Sequence, residues 1–164
     1  MDINRPKFKV EKTLFDKILI TLSTLFLVFH LIYIAFVFNK LPNIIPTHFN
    51  SSGYPDSYGS KNTLFILIFI SIAFYIFFML ISRVPYYYNY LVIITSENAK
   101  RQYKNAVTLI LSILAEILLL LFYMDYKTVE VALSKSSTMN YMPIFFLIIF
   151  LTLIYFIYKM IKLK

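Results

Sequence analysis

Long apolar runs alternate with short polar connections along this chain. Four runs are long enough, or nearly so, to cross a bilayer core of about 30 Å, which takes ~20 helical residues. They cover 18–38, 63–82, 106–126 and 143–161. Lipid offers no partner to a backbone N–H or C=O, so such runs must be helices. Glu116 interrupts the third run, and Lys159 is placed to snorkel at the end of the fourth. The first run follows a basic segment, as a signal peptide would, but it is too long for a signal core and no small-residue cleavage site follows. It reads as a retained span. The expected fold is an all-α integral membrane protein: one membrane domain over 1–164, a four-transmembrane-helix bundle with an ordered loop between helices 1 and 2.

The connections carry the local signals. Residues 1–13 form a short polar lead. Between the first two spans, 39–62 holds the chain's two glycines, Gly53 and Gly59. Pro42 and Pro46 push their preceding residues into extended conformations, Gly53 before Pro55-Asp56 suits a tight turn, and Asn62 or Thr63 can cap the second helix. In the next connection, 83–105, Tyr90 to Thr95 looks extended. Thr95 or Ser96 then caps a helix whose first turn holds Glu97, and that helix continues into the third span.

Composition agrees with a membrane location. Hydrophobic residues make up 60% of the 164 positions and charged ones 15%, with a mean hydropathy of +0.73, whereas ordinary domains are about a quarter charged. Cysteine is absent, which excludes disulfides, thiolate metal sites and Cys nucleophiles. The net charge of +8 is a topology signal. Twelve of the 16 Lys and Arg flank one side of the four spans: Arg5, Lys7, Lys9, Lys12 and Lys17, then Arg83, Lys100, Arg101 and Lys104, then Lys159, Lys162 and Lys164. The positive-inside rule puts that side, with both termini, in the cytoplasm and the loop 39–62 outside. No basic stripe interleaved with exposed aromatics points to nucleic acid. The partner implied by composition is the lipid bilayer, anionic lipid included.

Each span carries a polar seam. At about 100° per residue, Asn98, Arg101, Asn105, Thr108, Ser112 and Glu116 fall within an arc of ~80°. Asp16, Ser23 and His30 share a face of the first span, Ser71, Tyr75 and Ser82 of the second, and Thr152, Tyr155 and Lys159 of the fourth. Four such seams imply a common meeting line in the middle of the bundle. For Ser and Thr the plain reading is helix-packing glue. Glu116 is ten residues into its span, and His30 lies at a similar expected depth. Intramembrane ionisable groups are functional candidates by default, so the two are expected within reach of each other. The plain alternative is a protonated Glu116 hydrogen-bonded to a neighbour. Asn98, Arg101 and Asn105 mark the cytoplasmic face.

The outer loop is the other candidate. Its binding residues are Pro46, His48, Asn50, Gly53, Asp56, Gly59 and Lys61. Zinc takes three or four N, S or O ligands, and the loop offers only His48 and Asp56, so no metal or other cofactor is expected. A Ser–His–Asp set can be drawn from Ser51 or Ser60 with His48 and Asp56, but neither an oxyanion element nor a nucleophile elbow accompanies it. No catalytic residue is assigned. A turn held by Asp56–Lys61 or Asp56–His48 bonds is the simplest expectation, with recognition by an ordered outer cap beside it.

The order Leu41-Pro42, Ile45-Pro46-Thr47-His48-Phe49-Asn50, Gly53, Asp56, Gly59-Ser60-Lys61 resembles an uncharacterised bacterial membrane domain, the N-terminal part of SdpI-type toxin-immunity proteins. Asn89-Tyr90 and Ile94 to Tyr103 are similar to a second block found in small stand-alone members. The resemblance runs from about Leu14 to Tyr126. It implies a binding role in the bacterial cytoplasmic membrane: immunity to a secreted peptide toxin or envelope signalling, with a toxin or a membrane-held regulator as partner and no enzyme activity. The residues alone leave a second expectation, a small proton-linked transporter or transporter subunit using Glu116 and His30. The pattern specifies no oligomeric state.

Overall fold

The computed structural model describes residues 5–7 and 9–164. Residues 1–4 and 8 of the expected polar lead lie outside the described residues. Four helices are long and apolar enough to cross a membrane: α1 (Leu14–Val37), α2 (Leu64–Ile81), α3 (Ala99–Ala132) and α4 (Met142–Lys162). Between α1 and α2 the chain makes a two-stranded antiparallel hairpin, β1 (Ile44–Phe49) and β2 (Pro55–Ser60).

The helices begin and end where local chemistry dictates. Thr13 opens α1 with a capping box: its side chain accepts from the backbone N–H of Asp16, and Asp16 Oδ2 accepts from the N–H of Thr13 at 2.7 Å. That moves the start of the helix four residues ahead of the expected 18. At the far end of α1, the Lys61 ammonium donates to the carbonyls of Phe38 and Leu41 at 3.3 and 3.2 Å. It therefore satisfies acceptors left free by the helix terminus. α3 overruns the expected 106–126 at both ends. It starts after Asn98, whose Oδ1 accepts from the N–H of Thr95 and whose Nδ2 donates to the carbonyl of Ile93. The segment expected to be extended, Tyr90 to Thr95, is no strand but an irregular stretch pinned by Asn98.

The helices alternate in direction, so α1 and α3 run parallel, and the start of α1 and the end of α4 lie opposite the hairpin. α3 is the hub, with α1 and α2 on one side and α4 on the other. A common meeting line of four seams is therefore not formed. The seams divide around α3 because a single central helix presents different faces to its neighbours. On the termini end, Thr108 donates to Asp16 Oδ1 at 2.7 Å, joining α3 to α1. Tyr75 of α2 bonds Thr24 of α1 at 2.8 Å. Gln102 and Asn105 donate from α3 to the carbonyls of Met160 and Phe156 of α4, at 2.9 and 3.1 Å. These are interhelical ties of the kind that lipid favours.

The basic lead lies on the tyrosine-rich connection after α2. Arg5 donates to the carbonyl of Tyr88 at 2.6 Å and sits over the Tyr90 ring, a cation–π contact. The Tyr88 hydroxyl donates to the carbonyl of Ile81. Burial pushes that phenol up to about 12, so it stays a neutral donor at ordinary pH.

Candidate functional site

The hairpin is built around its turn. Asn50 Oδ1 accepts from the N–H groups of Ser52 and Tyr54, at 2.9 and 3.1 Å, the Asx arrangement that favours Asn in turns. Gly53 follows with φ = +80°, a region where a side chain is strained. A Cβ there would also lie 2.8 Å from the carbonyl oxygen of Met139. Met139 and Gly53 are joined by a backbone hydrogen bond of 2.8 Å. The turn is thereby stapled to the α3–α4 connection. Gly59 leaves room for Thr47, whose methyl would stand 3.0 Å from a Cβ at that position. Pro46 is buried and stands opposite Tyr58. A proline fits there because a two-stranded ribbon has free edges that need no N–H.

Of the two bonds expected for Asp56, one is made. His48 Nδ1 pairs with Asp56 Oδ1. Both side chains are open to solvent, 68% and 42% exposed. Lys61 is not its partner, because the carbonyls closing α1 hold that ammonium. No third His, Asp or Glu joins His48 and Asp56 in a metal-binding group among the described residues.

A cleft of about 870 Å³ opens beneath the hairpin. Its walls are β1 and the turn, the start of α2, the α3 stretch around Asp125, and the α3–α4 connection with the start of α4. Ile66, Leu67, Met124, Met142, Pro143 and Phe146 make the lining predominantly apolar. Pro46, His48, Asn50 and Gly53 all contribute to it, whereas Asp56, Gly59 and Lys61 support the hairpin from outside the lining.

Asp125 is the acidic group of this cleft. Its Oδ2 lies 2.7 Å from His30 Nε2, and the two side chains are 2% and 1% exposed. His30 Nδ1 faces the Ser71 hydroxyl at 3.4 Å, and its ring meets Phe122 edge to face. The hydroxyl of Ser71 bonds back to the carbonyl of Leu67 at 2.8 Å. This also resembles a Ser–His–Asp order, but a serine with no exposed surface cannot meet a substrate carbonyl. The arrangement is a buried polar link among α1, α2 and α3.

The expected proximity of His30 and Glu116 is overturned. His30 is level with Asp125, nine residues beyond Glu116 on α3, or about 13 Å along the helix axis. Glu116 also points the other way, accepting from the Thr152 hydroxyl of α4 at 2.6 Å. The depths were mismatched because α1 starts well before its apolar run: Asp16 is level with Thr108, so the starts of the two runs, 18 and 106, are out of step. Glu116 instead borders a separate groove of about 600 Å³ between α1, α3 and α4, with Phe15, Ser112, Ile148, Thr152 and Tyr155. The residues expected to mark the other face also divide. Asn98 and Asn105 are buried ties, and only Arg101 is exposed, 3.5 Å from the carbonyl of Lys164. They do not form one surface, since the α3 face they share is covered by α4 and the connection.

The segment that builds the hairpin can be compared with known families. Residues 25–72 match the family described as a domain of unknown function (DUF1648). The matched stretch holds the hairpin, His30 and Ser71, and it stops short of α3, which supplies Asp125. No curated protein and no solved structure matches the chain.

Proposed function

We propose that this chain is a multi-pass protein of the bacterial cytoplasmic membrane that binds a ligand on its outer side and catalyses no reaction. The termini are cytoplasmic and the hairpin is extracytoplasmic, as the distribution of Lys and Arg directs. The observation that carries the reading is the half-roofed apolar cleft beneath the hairpin, with a few polar groups on its walls. Concave apolar sites with sparse polar groups are the usual form of binding pockets. The DUF1648 match over the same segment, with the SdpI-like order of its residues, supports toxin immunity or envelope signalling as the biological setting. His48, paired with Asp56 at the rim, shapes the entrance and leaves its exposed ring available to a ligand.

Deleting the gene should sensitise the cell to a secreted peptide toxin, and His48→Ala or Asp56→Ala should reproduce the deletion phenotype at normal protein levels. Unchanged sensitivity across a panel of such toxins contradicts the immunity form of the proposal.

A further inference from the structure

The cleft has a polarity that narrows its ligand. Among the described residues its lining contains no Lys or Arg, its one carboxylate is Asp125, and His48 is the only other group there able to carry charge. His48 already has Asp56 beside it. The lining that holds Asp125 is mostly apolar, with Leu67, Met124 and Phe146 among its residues and Thr128 one turn along α3. Only Oδ2 of Asp125 is engaged, by His30, so the carboxylate retains acceptor capacity. A cation brought into such a low-dielectric wall meets an attraction that water would otherwise screen.

A second observation selects the kind of molecule. The cleft is lined by four consecutive residues of β1, Pro46 through Phe49, and by the turn that follows, Asn50 through Gly53, but by none of β2. Successive strand residues point to opposite faces, so the unbroken run from Pro46 to Phe49 marks the strand's edge rather than one of its faces. Among the described residues β1 pairs only with β2, so its other edge carries backbone groups without a strand partner, Pro46 offering its carbonyl alone. An extended peptide can use such an edge through main-chain hydrogen bonds, which an acyl chain cannot do.

We infer that the cleft binds an extended peptide segment bearing one basic side chain among apolar residues, its backbone along β1 and its ammonium or guanidinium against Asp125. This rests on the outer-side binding reading above and names the ligand class for that same cleft. With the cation in place, His30 and the ligand share the carboxylate from two directions. Ile66, Met142 and Phe146 receive the flanking apolar side chains.

The test is selection from a synthetic nonapeptide library against the full-length protein in lipid nanodiscs. The peptides are apolar except at one central position, which is Lys, Arg, norleucine or Glu. Lys and Arg should be enriched over norleucine by at least about tenfold, the scale of a desolvated charge pair, and Glu should be depleted. Asp125→Asn should abolish the preference while norleucine peptides still bind. Phe146→Trp, which leaves Asp125 and His30 intact and enlarges a side chain of the lining, should weaken every peptide. N-methylation of alternate peptide amides should weaken binding, and undiminished binding by the methylated peptides overturns the placement of the backbone along β1. Equal enrichment of Lys and norleucine, or a Lys preference that survives Asp125→Asn, overturns the inference while leaving a neutral ligand for the cleft. Binding insensitive to Phe146→Trp places the site elsewhere and overturns both the inference and the cleft as recognition site.

Discussion

Two carboxylates on α3 stand nine residues apart and occupy opposite situations. Asp125 is enclosed, faces a titratable histidine and forms part of a cleft roofed by a hairpin. Glu116 is half-buried, faces a neutral threonine and borders a lateral groove between α1 and α4. Both are acids within an apolar helix, so hydropathy alone ranks them alike. Their surroundings separate them. Asp125 has a fixed orientation, a histidine at 2.7 Å and a route to the hairpin side. Glu116 has one oxygen on Thr152, and its Oε2 is buried without a hydrogen-bond partner among the described residues. Chemistry in a membrane protein is indicated by the company of an acid more than by the acid itself.

The comparison is broken most forcefully at Asp125. Asp125→Ala should cost about 3–5 kcal/mol, because it strands a buried histidine. Chemical unfolding in mild detergent measures this. The double change His30→Leu with Asp125→Leu should recover most of that loss, since replacing both members of a buried polar pair by apolar groups is often near neutral. Next comes the staple of the hairpin. Gly53→Ala should cost about 2 kcal/mol through its left-handed backbone, and the contact with the Met139 carbonyl adds to the loss. Proteolysis within the 133–141 connection should accelerate in that variant. On the Glu116 side, Glu116→Gln should change stability by less than about 1 kcal/mol, since the amide oxygen can still accept from Thr152.

The smallest effect is one of pH, at the end of the molecule away from the hairpin. Burial holds Lys12 below the ordinary lysine value of 10.5, with Asp16 opposing the shift and Arg83 adding to it. Its ammonium donates to the Ser82 hydroxyl at 3.0 Å. Between the lowered folded value and 10.5 the unfolded chain holds more protons than the folded one, so stability rises with pH across that window. Lys12→Met should flatten the rise in a pH series of unfolding curves.

The four long apolar helices were legible because lipid imposes one rule on sequence, unbroken apolarity over a length sufficient to span it. Their neighbours were not, since the lengths say nothing of which helix is the hub. The His48–Asp56 bond and the turn at Gly53 could be read locally, each from residues close in the chain. The strands could not: Pro46 and Pro55 argue against a sheet, and only the free edges of a two-stranded ribbon admit them. Asp125 escaped for a geometric reason. Nine residues at about 100° each place it opposite Glu116, off the polar arc that drew attention. The signal that could have found it is its seven-residue spacing from Leu118 and Leu111, both buried. An acid in register with core leucines needs a partner, and His30 was the one histidine within the spans.

Single-cysteine accessibility in intact cells tests the central claim most directly, since the chain has no cysteine of its own. Thr128 lines the cleft one turn beyond Asp125. Thr128→Cys should react from outside the cell with membrane-impermeant thiosulfonates, and faster with a trimethylammonium reagent than with a sulfonate one. Reaction only after lysis, or a faster rate with the anionic reagent, contradicts an outward-facing cleft governed by Asp125.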